Sequence, residues 1–256
     1  MRLFHRSQVV VTTCFLALTA ILHATSLRPE AGTAFDRYVK LTEQRMDDEL
    51  AHGRSFLWID RLSDPRRAEM TRGLHDGGLI IERMETRDHG KSIDPPDALI
   101  HHWLAVVFVP GATVNSAVAL MEDYDRHSRV FGPNIAASRL LDRNDEHFRV
   151  ALRFYVKKVI SVTLDTENQA EFFRRPPDRA FSRIRSTKVT EIANAGTPQE
   201  HEKPQGQENG FMYRLNTYWR FLERDGGTYI QCESLTLSRD VPFALSWIIK
   251  PFVSQV

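Results

Sequence analysis

The chain has 256 residues, 42% of them hydrophobic and 26% charged, enough for a packed core and against wholesale disorder. Basic and acidic residues number 34 and 33, a net charge of +1, which leaves no concentrated basic face for nucleic acid. The local clusters RFYVKK at 153–158 and RRPPDR at 174–179 read as a solvated sheet edge and a loop.

Residues 1–26 follow the order of a secretory signal. Basic MRLFHR leads into the apolar run VVVTTCFLALTAIL, and small residues follow in HATS. That run of about fourteen residues is short for a spanning helix, which needs roughly twenty. Cleavage is expected near Ser26, placing the mature protein outside the cytoplasm, in a periplasm or secreted. The alternative is an uncleaved segment that anchors the chain to a membrane. Cys14 lies inside the apolar run, so Cys232 stands alone in the mature chain, with no disulfide partner and no thiol pair for a metal. It reads as a small buried hydrophobe in a strand.

Residues 27–98 read as a mostly helical extension packed on the domain that follows. Phe35, Val39, Leu41, Met46 and Leu50 recur by threes and fours among charges, the pattern of an amphipathic helix, with Thr33 as a candidate cap. A second helix is predicted over 64–74, with Asp64-Pro65 at its start and Gly77-Gly78 after its end. GLIIERMET has strand character, and HGKSIDPPD is a loop.

The main domain, 99–256, opens with a strand in ALIHHWLAVVFVPG. The period then changes: Val114, Val118 and Met121, with Thr113 as cap, predict a helix that ends before Gly132-Pro133. Strands dominate after it. Phe148, Val150, Leu152, Phe154 and Val156 alternate with His147, Arg149, Ala151, Arg153 and Tyr155, as a sheet with one wet and one dry face requires. SVTLDTENQAEFF and AFSRIRSTKVTEI follow, and ANAGTPQEHEKPQGQENG is a loop. Tyr213, Leu215, Thr217, Trp219 and Phe221 form one stripe of the next strand. Arg214, Asn216, Tyr218 and Arg220 form the other. Asp225-Gly226-Gly227 has hairpin-turn chemistry, Ile230 and Cys232 lie on the return strand, and Pro242 precedes a helical segment, FALSWIIKPF. Strands bounded by helices indicate an α+β domain.

In this order of elements the sequence resembles the START-like (SRPBCC) superfamily, and within it the polyketide-cyclase and coenzyme-Q-binding branches. The resemblance covers about residues 99–252 and rests on three passages. HWLAVVFVPGATVNSAVALMEDYDRHSRVFGPN looks like the family's first strand and helix, with Asp123-Tyr124 ahead of a proline. TYWRFLERDGGTYIQCESLTL is similar to its late hairpin, and DVPFALSWIIKPFV to the start of its C-terminal helix. Residues 27–98 have no counterpart in compact members, and a last helix ending at Val256 is shorter than such folds normally use. The resemblance implies a helix-grip fold, a curved antiparallel sheet around a C-terminal helix with a hydrophobic cavity between them. Family members bind lipids, quinones, polyketides or hormones there, and a minority act on them chemically.

Ligand contacts are therefore expected from Tyr124, Phe131, Leu215, Trp219, Phe221, Ile230, Glu233 and Trp247. Tyr124 would offer its hydroxyl at the cavity mouth. Glu233 has two readings: inward, as a buried carboxylate with a raised pKa, or outward, paired with a neighbouring Arg. Asp123 and His127, four apart on a helix, read as part of a solvated face with local ion pairs. His101 and His102 are adjacent on a strand and point to opposite faces, which argues against one shared metal ion. No catalytic residue, metal site or cofactor is assigned. The expected function is an exported protein holding a lipid- or quinone-like molecule, with peripheral membrane contact among its interactions. The alternative is a cyclase or isomerase using Tyr124 with Glu233 or a nearby Arg in the same cavity. A third reading makes 27–98 a docking surface for a partner protein.

Overall fold

The structure, a computed structural model, describes residues 26–52, 55–157 and 161–239. In chain order its elements are α1 (Pro29–His52), α2 (Asp64–His75), β1 (Ile80–Arg83), β2 (Ala98–Pro110), α3 (Val114–Glu122) and α4 (His127–Val130). Then come β3 (Ile135–Asn144), β4 (His147–Lys157), β5 (Ser161–Arg174), β6 (Arg179–Ala193), β7 (His201–Glu202), β8 (Arg214–Arg224) and β9 (Gly227–Arg239). The class is α+β, and the strands form one curved antiparallel sheet in the order β1-β2-β9-β8-β6-β5-β4-β3, with β7 paired to β6. Register shifts within β3–β4 and at Glu167–Asn168 of β5 bend the ribbon, because a bulge adds local twist. Residues 1–25 of the proposed signal segment and the expected C-terminal helix, Trp247 included, lie outside the described residues.

The sheet is clothed on both faces. Its inner face carries Ala105, Val107, Val150, Phe154, Phe172, Trp219, Phe221 and Ile230 in one core with Val118, Met121, Tyr124 and Phe131 of the α3–α4 segment. Its outer face is covered by the region before β2. Leu104, Val106, Leu222 and Tyr229 pack with Phe56, Leu57, Ile59 and Leu74, while Tyr218, Leu235 and Leu237 pack with Ala31, Phe35, Tyr38 and Met46. β4 alternates as expected, whereas β8 buries almost every residue on both sides. Its polar stripe of Asn216, Tyr218 and Arg220 lies beneath α1 and out of solvent.

Local chemistry explains where elements start and break. α1 begins at Pro29, a turn ahead of the anticipated Thr33 cap, and proline suits a first turn whose N–H has no helical partner. Thr33 sits inside that turn, its hydroxyl donating to the Pro29 carbonyl at 3.1 Å. Thr113 caps α3 as predicted: its Oγ1 accepts from the Ser116 N–H at 3.1 Å, and Ser116 Oγ accepts from the Thr113 N–H at 3.0 Å. The helix expected to run on toward Gly132 breaks at Asp123, whose φ and ψ are −81° and 62°. Tyr124–Arg126 forms a 3₁₀ turn, and bonds to β3 hold the break. Leu140 donates its N–H to Asp125 Oδ1 at 2.8 Å, and Ser128 donates its N–H to Ser138 Oγ at 2.8 Å.

The β8–β9 hairpin turns on Asp225 and Gly226, with φ of 60° and 78°, the two left-handed positions of a two-residue type I′ turn. Gly227 serves a different need. A Cβ there would lie 2.4 Å from the Val109 carbonyl oxygen and 2.7 Å from the Phe108 ring. Gly227→Ala is expected to cost about 1–3 kcal/mol through this overpacking. The measurement is the urea midpoint, and an unchanged value would mean that the β2 end yields freely.

Candidate functional site

Between the inner face and the α3–α4 segment lies a narrow, largely enclosed cavity of about 540 Å³, mouth included. β4 contributes Val150, Leu152 and Phe154, and the sheet centre contributes Ile184, Leu215, Trp219 and Cys232. Met121, Tyr124 and His127 close it from the helical side, and Asn168 and Thr217 add polar atoms. The free space at its centre holds a water or two, so a larger guest has to move side chains. Met121 is suited to that, since an unbranched thioether repacks easily.

Of the anticipated contacts, Tyr124, Leu215 and Trp219 line this cavity. Phe131, Phe221 and Ile230 are buried in the same core, outside the lining. His127 and Asn168 were not anticipated as wall residues. His127 is buried among Tyr124 at 4.7 Å and Phe131 at 5.1 Å between ring centroids, not on a solvated face. Asp123 pairs with Arg126 at 3.1 Å instead. The break after α3 carries the chain inward at these positions.

The polar groups of the wall are all uncharged at neutral pH. Burial pushes the His127 pKa down to about 4, and its Nε2 donates to the Leu120 carbonyl at 3.3 Å. Burial raises the Tyr124 phenol and the Cys232 thiol, which keeps both protonated. Asn168 Nδ2 donates to Thr166 Oγ1 at 2.9 Å, and Thr166 donates to the Leu152 carbonyl at 3.3 Å. Tyr124 differs from these, because its buried hydroxyl makes no hydrogen bond among the described residues.

Glu233 is the main correction. It follows Cys232 on β9, and the strand's alternation sends its side chain to the outer face, away from the cavity. It is nevertheless only 1% exposed. Its Oε1 accepts from His102 Nε2 at 2.6 Å and from Arg45 of α1, while Oε2 has no partner among the described residues. Burial alone would raise its pKa, but the His102 hydrogen bond and the Arg45 and Arg220 charges outweigh it and hold the value near 2. Thus Glu233 follows the outward reading in its face and its Arg partner, and departs from it in being buried, beneath α1. Around it, Arg220 donates to Glu49 at 2.7 Å and to the Phe56 carbonyl at 2.8 Å, Tyr38 bonds His102 Nδ1 at 2.9 Å, and Gln231 accepts from the Trp58 N–H at 2.6 Å. This layer bolts α1 and the following turn to the sheet. His101 points to the inner side and bonds Ser238 at 2.9 Å, so the two adjacent histidines do part to opposite faces.

The acid–base set of the cyclase or isomerase alternative therefore does not converge. Tyr124 and Glu233 stand on opposite sides of the sheet, with β9 between them. Among the described residues, no group of three or more His, Cys, Asp or Glu is arranged to hold a metal ion.

No family model and no curated protein matches the chain. Among solved structures it is similar to a STAR-related lipid transfer protein from Xanthomonas axonopodis, at 13% identity and a TM-score of 0.44, over 67% of this chain and 93% of that one. It is similar to human STARD10 at 8% identity and a TM-score of 0.41, over 74% and 73% of the two chains. A third likeness is to the Zhui aromatase/cyclase from Streptomyces sp. R1128, at 12% identity and a TM-score of 0.38, over 57% and 72%. All three likenesses are distant, at 13% identity or less.

Proposed function

We propose that this is an exported protein that holds an apolar, lipid- or quinone-like small molecule in the inner-face cavity. One observation carries the reading: a largely enclosed hollow inside an otherwise packed core, walled mainly by Val150, Leu152, Phe154, Ile184, Leu215 and Trp219. Enclosed apolar hollows with a few polar groups are where small apolar molecules bind. Export rests on the order of residues 1–26, and the same reading includes peripheral membrane contact for loading and unloading the guest.

Native mass spectrometry of protein purified from its own host is expected to show a co-purifying apolar species. The polypeptide mass should correspond to a chain starting near residue 27. Lipids or quinones added to stripped protein should quench emission from Trp219. Repeated recovery of guest-free protein without quenching would defeat the binding reading, and a full-length membrane-bound mass would replace export by anchoring.

A further inference from the structure

We infer that the cavity selects a neutral guest carrying one hydrogen-bond acceptor, a ketone or quinone carbonyl, and turns away carboxylates and phosphates. This names the guest class for the binding reading above and rests on it. The described lining holds no Asp, Glu, Lys or Arg. Tyr124, His127 and Cys232 are its ionisable members. His127 spends its Nε2 proton on the Leu120 carbonyl, and Asn168 spends an amide proton on Thr166. An anionic head brought into this wall would find no cation, and burying an unpaired ion is far more costly than burying a neutral polar group.

Tyr124 supplies the positive half of the argument. Its ring is held by His127 and Phe148, with centroids at 4.7 and 5.7 Å, and its hydroxyl is buried without a partner among the described residues. A buried phenol is a donor left unspent, and leaving such a group unsatisfied is unfavourable. A guest carbonyl oxygen accepts that hydrogen bond. A pure hydrocarbon fills the hollow but leaves the hydroxyl as it was.

Three probes of equal chain length separate the terms: 2-nonanone, nonane and nonanoate, titrated calorimetrically into full-length mature protein at pH 8. The ketone is expected to bind most tightly. Nonanoate should be weaker by at least about 100-fold, the penalty of an unpaired buried ion. In Tyr124→Phe, affinity for the ketone should fall about tenfold, the worth of one hydrogen bond, with nonane unchanged. The same variant without guest should melt no lower than the parent, since it deletes an unsatisfied group. Nonanoate matching the ketone, or a ketone affinity indifferent to Tyr124→Phe, overturns the inference while the binding reading stands. Failure of all three probes removes that reading, and this one with it.

Discussion

Glu233→Ala is expected to destabilise the protein by about 3–5 kcal/mol, the range for removing one partner of a buried ion pair. The carboxylate sits between His102 on β2 and Arg45 on α1, with Arg220 of β8 adding its field. Without it, buried His102 loses its hydrogen-bond acceptor, Arg45 keeps only Glu49 as its counter-charge among the described residues, and Arg220 loses a favourable charge beside its Glu49 pair. The pH dependence has a definite sign. The carboxylate's folded pKa, near 2, is depressed below the usual value of 4.5. Its contribution, about 3 kcal/mol for a shift of this size, is fully present above pH 4.5 and is lost as pH falls toward 2. Urea melts of the parent between pH 2 and 7 should show that loss, and Glu233→Gln should flatten the acid-side slope while costing less at neutral pH than Ala. A cost below 1 kcal/mol for Glu233→Ala would mean that α1 does not depend on this layer.

What could be read in the sequence was local. Asp225-Gly226 specified a two-residue turn through backbone preference alone, and Thr113 specified a cap through one side-chain oxygen. The alternation of β4 held because one face of that strand remains wet. β8 carries an equally regular alternation, yet both its faces are buried, since period two tells how a strand divides its residues and not what covers each side. Glu233 shows the cost of that gap: its Arg partner lies 188 residues earlier, and nothing in QCES points to it. In the site, Tyr124, Leu215 and Trp219 were legible from motif and stripe. His127 was hidden by its charged neighbours, and the signal that could have found it was its three-residue spacing from Tyr124 and four-residue spacing to Phe131, both inward. The break at Asp123 depends on β3, which the local period of residues 113–131 cannot encode.

Removing residues 1–97 is expected to abolish cooperative folding. The segment looks like an appendage in sequence, yet it forms half of two cores. Leu104, Val106, Leu222 and Tyr229 would lose Phe56, Leu57, Ile59 and Leu74. Tyr218, Leu235 and Leu237 would lose Phe35, Tyr38 and Met46. Exposing seven such side chains at about 1.5–3 kcal/mol each gives about 10–20 kcal/mol, as much as the whole stability of an ordinary domain, about 5–15 kcal/mol. The deletion also uncovers Glu233 and Arg220, strips β1 from β2, and leaves β2 a bare apolar edge prone to pairing with other chains. The 98–256 fragment should run as aggregate in gel filtration and show no sharp thermal transition. A separately produced 26–97 fragment mixed in during refolding should restore a monodisperse complex, because the lost contacts are between surfaces and need no covalent link. A monomeric 98–256 fragment with an unchanged melting point would instead make the outer face of the sheet self-sufficient, and α1 a removable cover.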